Sequence, residues 1–218
     1  AATAALAALQ PDMAKAAIVP PQDPRLSARH VTIDIMSGPI RAYRARLAGA
    51  NQPKGVVVVI HENRGLNAHI EDITRRLALE GFLAVAPDLL STAGGTPADP
   101  DKARDMIGQL NANDVNGQVG AIIEALRADS DSNGKVGIVG FCWGGGVVGR
   151  MATVHPELNA AVVYYGVTPD LDGVPAIRAP LLLHYAGRDA RINAGVPAFE
   201  AALKAAGRPY EVFIYEGA

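Results

Sequence analysis

The run Gly140-Phe141-Cys142-Trp143-Gly144 carries the sharpest chemical signal in the sequence. It lies between an apolar stretch, Val136–Phe141, and the glycines Gly144-Gly145-Gly146 that open a helical pattern. A residue held at such a strand-to-helix turn is lifted above the sheet, and flanking glycines permit the strained backbone that the turn requires. With cysteine at its centre, the expected chemistry is nucleophilic attack by sulfur, and the first N–H groups of the following helix favour the thiolate. The competing reading is a buried, inert cysteine on a glycine-rich turn. Cys142 is the one cysteine among 218 residues, which excludes an internal disulfide and any multi-cysteine metal site.

The elements that must position this turn follow from the hydrophobic pattern. Val31–Ile35, the turn Ser37-Gly38-Pro39 and Ile40–Leu47 read as a hairpin. Val56–Ile60 is an unbroken β-branched run, suited to a strand buried on both faces. Strands and helices then alternate: helix Ile70–Glu80, strand Phe82–Ala86, helices Asp101–Leu110 and Val115–Ala128, and strand Val136–Phe141. Helix Gly144–Thr153, strand Ala160–Tyr165, strand Leu181–Ala186, helix Ala194–Ala206 and strand Glu211–Tyr215 complete the series. This order predicts an α/β fold, a mostly parallel sheet with helices on both faces and antiparallel strands at its N-terminal edge, in one domain over residues 31–218. Ligands of such sheets bind beyond the carboxyl ends of the strands, which directs attention to His61-Glu62-Asn63, Asp88, Cys142, Gly166 and Asp189.

Several separated motifs, in order, resemble the dienelactone hydrolases: His61-Glu62-Asn63-Arg64-Gly65-Leu66-Asn67, Pro87-Asp88-Leu89, Ser132-Asn133-Gly134-Lys135-Val136-Gly137, the run from Gly140 to Gly145, Tyr164-Tyr165-Gly166 and Gly187-Arg188-Asp189. The resemblance extends from about Val56 to the end of the sequence. It implies an α/β-hydrolase fold and a carboxylic ester hydrolase that cleaves an ester or lactone through a Cys-His-Asp triad. By position, Cys142 is then the nucleophile, Asp189 the acid that orients the histidine, and Glu62 a carboxylate that influences ionisation of the thiol. Backbone N–H groups of Asn63 and Trp143 would form the oxyanion hole, a pair whose members are typically worth ~10²–10³ in rate each.

Two departures accompany the resemblance. The family's triad histidine follows the last strand within a few residues, whereas here Glu216-Gly217-Ala218 ends the sequence without one; the expectation is that it lies beyond Ala218. His61 is the best substitute among the five histidines, while His184 reads as a core position and His30, His69 and His155 as solvated. The family's carboxylate-binding arginine a few residues after the Pro-Asp-Leu motif is replaced by Thr92, leaving Arg64 as the candidate substrate-binding residue. The missing histidine keeps a non-catalytic binding protein of hydrolase fold in view.

Other patterns compete less well. Asp129, Asp131, Asn133 and Gly134 open like a calcium loop, but its twelfth position is Gly140 rather than glutamate. Gly144, Gly146 and Gly149 match G-x-G-x-x-G, with Asp170 downstream, as in a dinucleotide-binding oxidoreductase. Here the sharp turn already falls at Gly140–Gly144, and close helix packing explains the later glycines better. No metal and no cofactor are expected.

Composition bounds the rest. A hydrophobic fraction of 49% against 19% charged residues excludes a disordered chain. Twenty Lys and Arg against 22 Asp and Glu, a net charge of −2 with no basic run, argues against nucleic acid as a partner. No apolar run approaches the ~20 residues of a membrane span, so the expected partner is a small ester or lactone, with the protein a monomer or homodimer. Residues 1–30 read as an extension: Ala-rich Ala1–Val19, followed by the proline-rich Pro20–Pro24, resembles the end of an export signal and a linker. That predicts a periplasmic or secreted protein, with a trimmed N-terminal helix of a cytoplasmic one as the alternative.

Overall fold

The structure, a computed structural model, describes residues 17–50 and 52–218. Most of the Ala1–Val19 segment read as a signal remnant lies outside the described residues. Val19 itself is buried, its N–H donating to Asp72 Oδ1 and its carbonyl accepting from Arg75 Nε, each at 2.8 Å.

Strands β1 (Leu26–Ile35) and β2 (Gly38–Leu47) form the hairpin, turning at Gly38 with φ 117°. β1 begins five residues before the run Val31–Ile35, because its first half offers only Leu26 and Ala28 as alternating apolar positions, too few to mark a strand. After β3 (Val56–Ile60) come helix α1 (Ala68–Leu79), strand β4 (Leu83–Pro87), helices α2 (Pro100–Gly108) and α3 (Ala112–Arg127), and strand β5 (Val136–Phe141). Then follow α4 (Trp143–Val154), β6 (Ala160–Tyr164), β7 (Leu181–Ala186), α5 (Ala190–Asn193), α6 (Val196–Ala205) and β8 (Tyr210–Tyr215). The starts of α1, α2 and α3 are fixed by side-chain caps: Asn67 accepts from the N–H groups of His69 and Ile70, Asp99 from Asp101 and Lys102, and Asn111 from Asn113 and Asp114. The helix expected at Ala194–Ala206 is α6, which starts two residues later, with Gly195 as its N-cap and Pro197 in its first turn.

The eight strands form one sheet in the order β1-β2-β4-β3-β5-β6-β7-β8. Only the β1–β2 and β2–β4 pairs are antiparallel; from β4 to β8 every pair is parallel. This is the mostly parallel α/β sheet with an antiparallel N-terminal edge that the pattern predicts.

The core divides along the two sheet faces. On one, Val56, Val58, Ile60, Ile138 and Val163 pack with Val119, Ile122 and Ile123 of α3, Val147, Val148 and Met151 of α4, and Phe199 and Leu203 of α6. On the other, Val59, Ala86 and Val139 meet Ile70 and Ile73 of α1. Beside α1 this second face carries an open groove of about 780 Å³ that runs over Val139, Phe141, Val162 and Leu182 and ends at Tyr164 and Tyr165.

The competing motifs find structural uses. Asp129 and Asp131 both close on Arg44 of β2, each with an oxygen at 2.6 Å, and the contact holds the Asp129 carboxyl below its usual range. Asp170 caps the 3-10 turn Leu171–Ala176 by accepting from the Asp172 N–H. Gly149 lies where a Cβ would come within 3.2 Å of Pro169, a close packing contact between α4 and the loop after β6.

Candidate active site

Parallel pairing decides which loops meet. β3 and β5 are neighbours with Ile60 opposite Gly140, so His61-Glu62-Asn63 and Phe141-Cys142-Trp143 leave the sheet side by side. β6 lies on the other side of β5, with Tyr164 opposite Phe141, which brings Tyr165-Gly166 to the same end.

Cys142 occupies the turn between β5 and α4 at φ 54° and ψ −117°. Its N–H donates to the Tyr164 carbonyl at 3.0 Å, and its own carbonyl accepts from the Gly146 N–H at 3.2 Å. The neighbouring glycines are sterically required. A Cβ on Gly140 would stand 2.5 Å from the Gly144 carbonyl carbon and 2.8 Å from a Val148 methyl, and one on Gly144 would stand 2.6 Å from the Ile60 carbonyl oxygen and collide with that of His61. The sequence therefore makes this turn by removing side chains on both sides of the cysteine, as a nucleophile elbow does. Trp143 begins α4, and its ring stacks on that of His61 at 5.6 Å. Among the described residues neither the Trp143 nor the Asn63 N–H donates to a protein acceptor.

Glu62 is partly exposed at the end of β3 and accepts from the Tyr165 hydroxyl at 3.0 Å. Tyr165 stands at φ 41°; it and Cys142 are the two non-glycine residues with positive φ among the described residues. Such strain collects at functional sites. Burial first, then the charge and hydrogen bond of Glu62, push the phenol well above its ordinary range, and Cys142 and Tyr164 act in the same direction.

Asp189 follows β7 at the same end of the sheet and caps α5, its Oδ1 accepting from the Ile192 N–H at 3.1 Å. The end of β8 closes against this loop: Gly187 N–H donates to the Tyr215 carbonyl, and Arg188 N–H to that of Ala218, both at 2.9 Å. No contact joins Asp189 to Cys142. Arg64 does not face this group either; its guanidinium is 2.7 Å from Asp101 and holds that carboxyl below its usual range.

His61 cannot stand in as the base. It is fully buried; its Nδ1 lies 2.7 Å from the Glu62 carbonyl, while Nε2 accepts from the Leu89 N–H at 3.2 Å. That pattern fixes the neutral tautomer carrying its proton on Nδ1, and burial lowers its pKa. Both ring nitrogens are spent, Nδ1 within the loop after β3 and Nε2 on tying that loop to the one after β4. His184 stacks on Tyr164 at 4.3 Å with Nδ1 2.9 Å from the Tyr215 hydroxyl, and is likewise depressed by burial. His30 is exposed as expected, although it lies within β1, edge-on to Tyr43, rather than on a loop, and His155, partly exposed at the end of α4, also pairs with Glu157 at 2.7 Å. Asp88 serves the scaffold: it is buried and accepts from the N–H groups of Leu90 and Thr96 and from the Thr96 hydroxyl. The same hydroxyl accepts from the Leu66 N–H, which ties the β4 loop to the β3 loop.

Two side chains that local motifs do not reveal matter here. Tyr165 reaches Glu62 across 103 positions of sequence. Arg41, from β2, brings a basic group to the loop carrying Thr92, where its guanidinium donates to the Gly94 carbonyl and its N–H to the Ser91 hydroxyl. The Tyr-Tyr-Gly run is the sole sequence signal for the first, and the second has none.

Comparison with known proteins agrees with this fold. Residues 40–218 match the sequence model of the Dienelactone hydrolase family. The protein named "Putative carboxymethylenebutenolidase" in Escherichia coli (strain K12) is 34% identical over 219 residues, covering 92% of this chain and 79% of its own length. One of the same name in Saccharolobus solfataricus is 34% identical over 211 residues, covering 80% of this chain and 82% of its own. Among solved structures, the "Putative Dienelactone Hydrolase" of Klebsiella pneumoniae superposes with a TM-score of 0.79 at 30% identity, over 88% of this chain and 86% of that one. A match over all but the first 39 residues, relatives 34% identical over most of their length and a shared fold together place this chain in the dienelactone hydrolase family, as an α/β-fold hydrolase of small molecules.

Proposed function

We propose that the protein cleaves a carboxylic ester or lactone through a thioester on Cys142. The observation that carries this reading is the elbow itself: a cysteine at φ 54° between two glycines with no room for a Cβ, at the start of a helix. In the first step Sγ attacks the ester carbonyl carbon, and the carbonyl oxygen takes the negative charge between the Trp143 and Asn63 N–H groups. The tetrahedral species collapses to a Cys142 thioester and releases the alcohol. Water then attacks the thioester, giving the carboxylate and restoring the thiol. Glu62 influences ionisation of Cys142, and Asp189 orients the histidine of the triad, which carries protons between sulfur, leaving group and water, work typically worth ~10²–10⁴ in rate. Iodoacetamide tests the first requirement: Cys142 is expected to label stoichiometrically in the folded protein, whereas labelling only after denaturant is added would return it to the class of inert core thiols.

The same site sets an expectation for substrate charge. Thr92 replaces the arginine that the family resemblance leads one to expect, and Arg64 is engaged by Asp101. Neutral esters or lactones are therefore expected to be turned over at least as well as carboxylate-bearing ones by a chain that includes the histidine. A kcat/KM preference of a hundredfold or more for the anion, worth ~2.7 kcal/mol, would instead assign Arg41 or Arg64 to the substrate carboxylate.

A further inference from the structure

The two edges of the sheet are built differently. β1 carries Arg29, His30 and Asp34, charge of the kind that keeps an edge strand from pairing with another chain. β8 reads Tyr210-Glu211-Val212-Phe213-Ile214-Tyr215, with one charge, no lysine and no proline, and is bonded on one side, to β7. Leu181 N–H donates to the Pro209 carbonyl at 3.0 Å and Gly187 N–H to the Tyr215 carbonyl at 2.9 Å, so the odd-numbered residues face β7. Alternation along a strand then turns the N–H and C=O groups of Tyr210, Val212 and Ile214 to the free side, where none has a backbone partner among the described residues. Side chains leave the same edge uncovered: Phe213, Ile214 and Tyr215 are 44%, 51% and 50% exposed, and as neighbours in a strand they lie on both faces of the sheet.

We propose that the free edge of β8 pairs antiparallel with β8 of a second copy of this chain, joining two sheets into one across a two-fold axis. The charges favour a copy in this orientation. Arg208, whose Nε is buried without a partner, precedes the strand, and the exposed Glu216 follows it. Antiparallel pairing sets the Arg208 end of each copy beside the Glu216 end of the other, whereas parallel pairing would set like beside like. A two-fold axis normal to the sheet brings together residues of one face, so that Val212 or Phe213 on the axis meets itself. Glu211 then stands opposite Phe213 or Tyr215 and never opposite a second carboxylate, which would oppose pairing. With Val212 on the axis, Arg208 falls directly opposite Glu216 of the second copy. Each chain has one such edge, so the contact closes at two. Six residues of strand fall short of a standard interface of about 1,600 Å², and the association is expected to be micromolar rather than nanomolar. The end of β8 also accepts from Gly187 and holds Arg188 beside Asp189, so pairing would brace that loop, whatever the role of Cys142.

Sedimentation equilibrium of the 218-residue chain from about 1 to 200 µM, a range that brackets micromolar affinity, is expected to show monomer passing to dimer and nothing larger. Ile214→Pro removes an outward N–H at a position where an edge strand tolerates proline, and is expected to leave a folded monomer throughout. Ile214→Lys keeps the backbone donor and is expected to weaken the dimer at least tenfold. Arg208→Glu and Glu216→Arg are each expected to weaken it roughly three- to tenfold, and the two together to restore it, a recovery that damage to the fold would not produce. Amide hydrogen exchange reads the same contact: Tyr210, Val212 and Ile214 are expected to exchange fast in dilute protein and slowly in concentrated protein. A chain that stays monomeric over the whole range would overturn the proposal, as would a dimer indifferent to Ile214→Pro and Ile214→Lys, or assemblies that grow past two. Amides of these three residues already protected in the monomer would overturn it too, since the chain would then be covering its own edge.

Discussion

Mixed with a small aryl ester, the 218-residue chain is expected to release one equivalent of phenol in a burst and then to stall. The first half of the reaction needs a sulfur held at the elbow and donors for the oxyanion, and an aryl leaving group departs without being protonated. The second half needs a base to activate water. Neither His61, with both ring nitrogens engaged, nor His184, stacked within β7 and β8, is placed to supply it. Mass spectrometry of the stalled protein is expected to show one added acyl group on Cys142, and Cys142→Ala is expected to show neither burst nor adduct while melting as a folded protein. Carrying the chain past Ala218 to include a histidine near Asp189 is expected to convert the burst into turnover. A burst that survives Cys142→Ala would remove the nucleophile from the scheme. An unsubstituted chain that never acylates would favour a binding protein of hydrolase fold.

The second large effect concerns the glycines of α4, which differ sharply in what surrounds them. Gly144→Ala is expected to destabilise the protein by at least about 3 kcal/mol. Its Cβ would meet the carbonyl oxygens of Ile60 and His61, which are backbone and yield only if β3 shifts. Gly146→Ala places its Cβ no closer than 3.7 Å to Val167, so its expected effect is neutral or slightly stabilising, alanine being about 1 kcal/mol the better helix former. Paired thermal melts check both. In a dinucleotide fold the middle glycine of G-x-G-x-x-G is the one the pyrophosphate approaches. Loss of bound NADH on Gly146→Ala would revive that reading, and equal melts for the two variants would show that the elbow is looser than its geometry.

Legibility of the fold follows burial. Val136–Phe141 and Leu181–Ala186 are strands with the bounds that their apolar runs predict, because both are bonded to a neighbouring strand on either side and most of their residues are buried. Leu26–His30 is part of β1 but reads as linker: an edge strand bonded on one side tolerates arginine and histidine, so alternation fades. Helix α5 is invisible for another reason, since the four residues Ala190–Asn193 are too few to show a helical period.

The site divides in the same way. Cys142, Trp143, Glu62 and Asn63 are legible because each stands just after a strand, and parallel pairing alone sets those ends side by side. Tyr165 is named by a motif whose purpose the sequence does not state, because its partner is set by β6 lying beside β5 and by a backbone angle that glycine, not tyrosine, would normally announce. Arg41 is hidden altogether, as a β2 side chain that reaches its loop through the antiparallel pairing of β2 with β4. The open role of His61 closes only when the Leu89 N–H and the Glu62 carbonyl are seen to take its two nitrogens.

The left-handed turn at Cys142 also shapes how this protein can change. A side chain at φ 54° and ψ −117° is maintained at a cost of order 1–3 kcal/mol, most of which a glycine there would escape. Position 142 is thus one where stability and activity pull in opposite directions, and a screen for thermostability alone would favour losing the sulfur. Descendants of this chain that had given up catalysis would be expected to drift toward glycine at the elbow while keeping the flanking glycines, whose role is steric. The identity of residue 142, read beside Gly140 and Gly144, would then separate working relatives from retired ones before any assay is run.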